Sequence, residues 1–279
     1  MPAFPALPFR RPYGRRPGHA LIGAALLVAL LGTFPACAEI GMPQIPPPPP
    51  LKAASAAARA ANDPLEPVNR VVFWVNDVLE AVLIRPAARL YQAALPDPVQ
   101  TGVRNVLTNL RAPLDFTNQA LQGDWEQAGI VLRRFVLNST LGLAGLIDVA
   151  ERQHGLAYEY ESFDQTLAVW GVPEGPYLVL PLLGPSSLRD GPARLAEGLA
   201  DPVTLYAEAR GADTFTYARL GTTVVDTYAG YMPVLDDLRR NSVDYYTAMR
   251  SLYRQRRDNW VRDGDSAADA FPDIPDYGD

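Results

Sequence analysis

Residues 63–84 read DPLEPVNRVVFWVNDVLEAVLI, and this stretch decides the fold class. Asp63 followed by Pro64 is a helix-start signal. A short acidic side chain caps free backbone N–H groups, and proline suits the first turn, where its missing donor would have had no partner. From Val68 to Ile84 a helical period carries apolar residues on most faces: Val71, Val72, Phe73, Trp74, Val75, Val78, Leu79, Val82, Leu83 and Ile84. A helix apolar nearly all round is buried in a core or lies against lipid.

The same period recurs downstream. It predicts helices over Val99–Leu110, Pro113–Leu121, Trp125–Leu137, Leu141–Ala150, Leu188–Leu199, Val203–Arg210, Thr214–Tyr228 and Leu235–Arg257. The breaks fall at proline and glycine, of which there are 27 and 21. Strand-like alternation is scarce. Tyr177–Leu180 is the best strand candidate, but it runs into Pro181 and has no evident partner. The expected fold class is all-α, with no internal repeat. The last helix should have one packed face, marked by Leu235, Leu238, Tyr245, Met249 and Leu252. Asp236 and Asp237 would stand near its start and Arg250, Arg254, Arg256 and Arg257 near its end, complementing the helix dipole.

Upstream of the folded body the sequence changes character. Residues 1–36 read as an export signal: arginines at 10, 11, 15 and 16, then the uncharged run Ala20–Phe34, then small residues. That run is 15 residues long, short of the roughly 20 a membrane-spanning helix needs. Phe34-Pro35-Ala36-Cys37 resembles a lipobox, in which cleavage before the cysteine leaves its sulfur to carry lipid, and the chain's only cysteine stands there. Ala36-Cys37-Ala38 also reads as an ordinary cleavage site with the cut before Glu39. Residues 37–61 form a Pro/Ala-rich linker in which Pro46–Pro50 dictate a polyproline II spacer. The helical domain is expected over 62–260. Residues 261–279 are acidic, and from Gly264 onward they hold five aspartates and no base, the composition of an unfolded tail.

Composition excludes several functions. The chain has 279 residues and net charge −6, and the first 36 residues hold four arginines and no acid, so the remainder carries −10. An acidic body is a poor partner for nucleic acid. A single cysteine rules out an intrachain disulfide or a cysteine-rich metal centre. The two histidines are His19, in the export signal, and His154, beside Glu151 in a polar helix end. A Ser-His-Asp triad would depend on His154 alone, and no nucleophile elbow, phosphate loop or dinucleotide fingerprint is present. The acids Asp148, Glu151, Glu159, Glu161 and Asp164 are expected to cap helices or face solvent. No catalytic residue, metal or cofactor is expected. No segment after the export signal can span a bilayer, since the longest apolar region, Gly129–Val149, is interrupted by Arg133, Arg134 and Asn138.

Several blocks together resemble one family. They are Asn62–Arg70 (NDPLEPVNR) with Phe73 and Asn76; Asn105 with Asn109-Leu110; Asn118 with Leu121–Asp124 (LQGD); Arg134–Thr140 (RFVLNST) with Gly142, Gly145 and Asp148–Ala150; and Phe163–Val172 (FDQTLAVWGV). The last continues through Gly175–Pro181 (GPYLVLP), Leu183–Ser186, Leu188–Asp190 and Asp201-Pro202. Collinear over about residues 62–210, these blocks resemble the MlaA/VacJ family of Gram-negative outer-membrane lipoproteins. The resemblance implies a ring of short amphipathic helices in the inner leaflet of the outer membrane, around a central channel. It implies that mislocalised phospholipid enters that channel from the outer leaflet and is handed to a periplasmic carrier, that the protein docks on a trimeric porin, and that no cofactor is consumed.

Within that frame, Leu141–Val149 and Tyr177–Leu183 are expected to wall the channel, with Leu141, Gly142, Leu143, Gly145, Leu146, Tyr177, Leu178, Leu180 and Leu182 as candidates. Gly142, Gly145 and Gly184 would permit close backbone approach. Arg133, Arg134 and Arg189 could meet a phosphate headgroup, or else form internal pairs with Asp148, Asp164 or Asp190. Val68–Val78, with Asn69, Phe73, Trp74 and Asn76, would lie against the membrane or gate the channel. Two other readings stay open: a porin-associated structural lipoprotein without transport, and an envelope lipid hydrolase, against which the missing triad weighs.

Overall fold

The computed structural model of the chain describes residues 62–263. The expected export signal, Cys37, the expected linker and the acidic stretch from Gly264 lie outside the described residues. Helix α1 (Glu66–Leu79) passes without interruption into a π-helical turn, Glu80–Ile84, and then into α2 (Arg85–Ala94). Proline at position 86 explains the wide turn: it donates no hydrogen bond to the preceding turn and crowds a carbonyl there, so the ladder loosens where it would otherwise be broken. Then come α3 (Asp97–Gln122), α4 (Trp125–Thr140), α5 (Val149–His154) and α6 (Phe163–Val169). After them stand β1 (Tyr177–Leu180) and β2 (Gly184–Ser187), followed by α7 (Asp190–Ala200), α8 (Pro202–Ala209), α9 (Asp213–Asn241) and α10 (Tyr245–Asp263).

The fold is helical, as expected, with one small addition. The strand candidate Tyr177–Leu180 does find a partner: it pairs antiparallel with Gly184–Ser187, from Tyr177 opposite Ser187 to Leu180 opposite Gly184. The partner contains Pro185 and two serines, so no strand pattern announced it. The elements close on one another. Helix α1 packs on β1, β2 on α7, α7 on α8, α8 on α9, and α9 on α2 and the π-turn, which lead back to α1.

Helix boundaries differ from expectation where proline misled. Helix α3 runs through Pro113 and α9 through Pro233, each as one element. The break expected before Leu235 falls instead at Ser242, whose backbone is extended, so Asp236 and Asp237 end α9 and do not start α10. Asp63 does not cap α1, which begins at Glu66. Its carboxylate instead accepts from Arg250 at 2.7 Å, from Tyr246 and from Asn69, and it is fully buried. Leu141–Ile147 is not helical: Leu143, Ala144 and Gly145 all have positive φ.

The interior is polar. Asp63, Asp115, Asp164, Asp190, Asp201 and Asp226 are all buried, and each is paired with arginine, namely Arg250, Arg111, Arg257, Arg189 with Arg257, Arg219, and Arg104. One apolar cluster joins Tyr177, Val179, Tyr246 and Tyr253 with Val72 and Phe73; the other buried apolar residues are mostly alanines, with Leu114, Val131 and Val149. Large apolar side chains lie outside instead, among them Val82, Leu83, Leu132, Val136, Leu141, Leu143, Leu199 and Leu220. That inverts the arrangement of a water-soluble domain, in which buried charges are rare and exposed apolar patches small.

Candidate functional site

The site is built on α1. Asn69, Phe73 and Asn76 fall on one face of it by helical spacing. Asn69 donates to the Tyr177 carbonyl at 3.0 Å and accepts from the Val179 N–H at 3.0 Å. Two turns on, Asn76 donates to the Leu180 carbonyl at 2.9 Å and accepts from the Leu182 N–H at 2.8 Å. Two carboxamides thus clamp the hairpin edge to α1, each using donor and acceptor together. Phe73 between them packs on the Tyr245 and Tyr246 rings, with centroids 5.3 and 5.5 Å away. Trp74 is half-buried.

Clamping the hairpin leaves a cavity of about 440 Å³ beside it. One wall is Phe73, Asn76, Asp77, Glu80 and Ile84, from α1 and the π-turn. The hairpin turn, Leu182–Pro185, forms a second wall. Helix α9 supplies Thr223, Val224, Thr227, Tyr228, Tyr231 and Leu235, and α10 supplies Tyr245 and Met249. Carbon and aromatic faces dominate it, and its charged lining residues are Asp77 and Glu80. Glu80 Oε1 accepts from Tyr228 at 2.7 Å, Arg239 at 3.1 Å and Arg85 at 3.3 Å. Arg239 also donates to Asp77 at 2.5 Å and lies 4.6 Å over the Tyr245 ring. Arg85 pairs with Asp236 at 2.6 Å. Burial, and then the Glu80 carboxylate, push the Tyr245 hydroxyl up to about 12; the Tyr228 hydroxyl is pushed up by burial and its bond to Glu80. Both are neutral at physiological pH.

A second, smaller cleft of about 180 Å³ shares Pro185 and Met249 with the first. Its charged lining residues are Arg194, Arg256 and Arg257. Arg256 donates to the Tyr231 hydroxyl of the larger cavity at 3.3 Å, so the two clefts touch through this pair.

Of the expected wall residues, Leu182 lines the cavity. Tyr177 is buried in the aromatic core, and Leu178 and Leu180 are half-buried in β1. Leu141, Leu143 and Leu146 project outward from the turn that follows α4. The positive-φ turn produces this, because it reverses the chain sharply and leaves the leucines on its outer side. Gly142 and Gly145 are buried beneath them, against Asn138 and Asn109.

The expected headgroup arginines also separate. Arg134 is buried, donates to Asp148 at 2.6 Å and to the Leu156 carbonyl, and so acts internally. Arg189 donates to Asp190 at 2.8 Å and to the Val172 carbonyl at 2.9 Å, with its side chain 7% exposed. Arg133 is exposed on α4, away from the cavity lining. Glu161 and Asp164, expected at the surface, are buried, whereas Asp148 does cap α5 through the Glu151 N–H. Among the described residues no group of three or more His, Cys, Asp or Glu side chains could hold a metal ion.

Sequence reading missed Asp77, Glu80, Tyr228, Tyr231 and Arg239. A signal was present for some: Thr223, Thr227, Tyr231 and Leu235 recur every four residues along α9, and Asp77 and Glu80 are the only charged residues between Val71 and Ile84.

These elements define a class: a helical body with charges inside, apolar groups outside, and an amphipathic cavity behind a clamped hairpin. A family model described as "MlaA lipoprotein" matches residues 61–259, and the chain belongs to that family. The intermembrane phospholipid transport system lipoprotein MlaA of Escherichia coli is 33% identical over 202 residues, covering 71% of this chain and 77% of the relative. An uncharacterised protein of Rickettsia felis is 34% identical over 201 residues, covering 72% and 78%. A solved structure described as "Structural basis for maintenance of bacterial outer membrane lipid asymmetry" aligns with a TM-score of 0.62 and 35% identity, covering 71% of this chain and 98% of that one.

Proposed function

We propose that this protein removes mislocalised phospholipid from the outer leaflet of the outer membrane through its cavity and passes it, chemically unchanged, to a periplasmic carrier. The observation that carries this reading is the inverted body: paired charges inside, leucine and valine outside, and a cavity that offers carbon to acyl chains and polar groups to a headgroup. No described helix is long and apolar enough to cross a membrane. A body of this kind lies in one leaflet, with its backbone hydrogen bonds satisfied within helices and hairpin. Lipid on Cys37 would add an anchor, and a trimeric porin would hold the body beside the outer leaflet. The relatives' role in phospholipid transport and the absence of a triad in the sequence both favour transfer over hydrolysis.

The test is outer-leaflet phospholipid in a strain lacking the gene, probed with an added surface-acting phospholipase. The expected result is a raised level that the intact gene reverses. An unchanged level would favour the porin-associated scaffold, and fatty acid released by the purified protein would favour the hydrolase.

A further inference from the structure

We propose that the cavity takes a phospholipid headgroup inward: the headgroup lies at its depth, against Asp77, Glu80 and Tyr228, and the acyl chains leave across its rim at Leu182, Leu183 and Val224 into the surrounding hydrocarbon. This deepens the transport reading and rests on it. The argument begins with where the charges stand. Both charged lining residues are deep, the Asp77 and Glu80 side chains being 10% and 17% exposed. The exposed lining residues carry no charge: Leu182, Leu183, Thr223, Val224 and Thr227. Their chain neighbours Pro181, Leu220 and Gly221 are exposed and uncharged as well. A pocket that buried acyl chains and met the headgroup at its mouth would show the opposite order.

The order follows from the surroundings. In water a lipid site gains by covering acyl chains. In a leaflet the chains already lie among carbon, and the group that hydrocarbon cannot solvate is the charged headgroup. A site inside a lipid-immersed body therefore has to supply polar partners to the headgroup alone.

The depth supplies them. Glu80 accepts from Tyr228, Arg239 and Arg85, and Arg239 reaches Asp77 as well, so charges of both signs stand side by side. Carboxylates accept from a headgroup ammonium or hydroxyl, and the neutral Tyr245 hydroxyl offers a donor to phosphate. Size agrees. About 440 Å³ encloses a group of drug size, the class to which a glycerophospho headgroup belongs, and is too small for that group together with two long acyl chains.

The test is photolabelling of the full-length protein in bilayers of equal phosphatidylethanolamine and phosphatidylglycerol. Two probes are compared, each a phosphatidylethanolamine: one carries a diazirine on the headgroup, the other at the end of one acyl chain. Labelled residues are located by peptide mass spectrometry. The headgroup probe should label Asp77, Glu80 and Tyr228 at least about tenfold more than the chain-end probe does, a ratio equivalent to about 1.4 kcal/mol. Excess unlabelled phosphatidylethanolamine should suppress that signal. A smaller ratio overturns the inward orientation and leaves transport standing. A signal that excess lipid leaves undiminished is nonspecific and overturns the orientation too. Labelling of the cavity by neither probe overturns both readings. Because the unaltered protein is used throughout, no outcome depends on whether a variant folds.

Discussion

Asp115 shows what a buried charge costs in this protein and how it is held. It is fully buried on α3, accepting from Arg111 at 2.9 Å, from the Tyr158 hydroxyl at 3.2 Å and from the Glu161 N–H at 3.4 Å. Arg111 is shared: it also donates to Glu197 at 2.5 Å and to the Glu161 carbonyl at 2.7 Å, and it stacks 4.2 Å over the Tyr160 ring. One guanidinium thus serves two carboxylates and a backbone carbonyl. Burial pushes the Asp115 carboxyl up to about 7 against the pull of Arg111, and burial likewise raises Glu161. The native state then holds a proton that the unfolded chain releases near pH 4. The stability this contributes is complete below about pH 4 and is lost as pH rises through about 7. Chemical denaturation in detergent at pH 4 to 7 should show stability falling by up to about 1.4 kcal/mol per pH unit from this group. Asp115→Asn should flatten that component. A profile that Asp115→Asn leaves unaltered would place the proton elsewhere.

At the scale of elements, the turn at 141–147 separates what a sequence shows from what packing decides. Its composition, LGLAGLI, fits a helix period and predicts a helix. The fold instead tucks Gly142 and Gly145 beneath the turn. A Cβ on Gly142 would stand 2.2 Å from the Ile147 carbonyl oxygen, and one on Gly145, at φ +93°, 2.6 Å from the Asn109 Cβ. Gly142→Ala and Gly145→Ala should each destabilise by about 2 kcal/mol or more. Gly129→Ala should stabilise by about 0.5–1 kcal/mol, since Gly129 lies inside α4 with open space around it. Thermal midpoints in detergent decide this, and equal effects at all three positions would refute it. The period of 3.6 made the helices legible because burial follows it directly. Proline misled where a helix break is expected beside it, near Pro113 and Pro233, since each lies inside one long helix. The β2 strand was illegible because its pairing comes from a four-residue register with β1 and from its contacts with α7 and α10, not from any pattern in Gly184–Ser187. The cavity was half legible. Phe73, Asn76 and Leu182 stood out, but Asp77, Glu80 and the α9 tyrosines acquire meaning only when α9 is brought against the π-turn.

Across the whole molecule, the outward leucines and the inward arginine–aspartate pairs are two sides of one solution. A body immersed in lipid gains nothing by hiding apolar groups and loses much by exposing charge, so its polar groups must find one another inside. Leu141, Leu143 and Leu146, expected in a channel wall, stand exposed outside the lining of the cavity beside the hairpin. With Leu132, Val136 and Ile147 they are exposed apolar groups on α4 and the turn that follows it. Lying on that surface, Leu141 and Leu143 are well placed to enter the acyl region, each contributing about 1.5–3 kcal/mol when taken out of water. Leu141→Asp with Leu143→Asp should therefore weaken partition into liposomes on the order of a hundredfold or more while leaving the helical signal intact, because neither side chain is buried in the fold. Flotation with liposomes, in a Cys37→Ser background so that an acyl anchor cannot mask the effect, measures it directly. Undiminished flotation would mean that this surface faces a protein partner or water, and that the body meets the membrane through another of its apolar surfaces, such as the one that Val82 and Leu83 present at the π-turn.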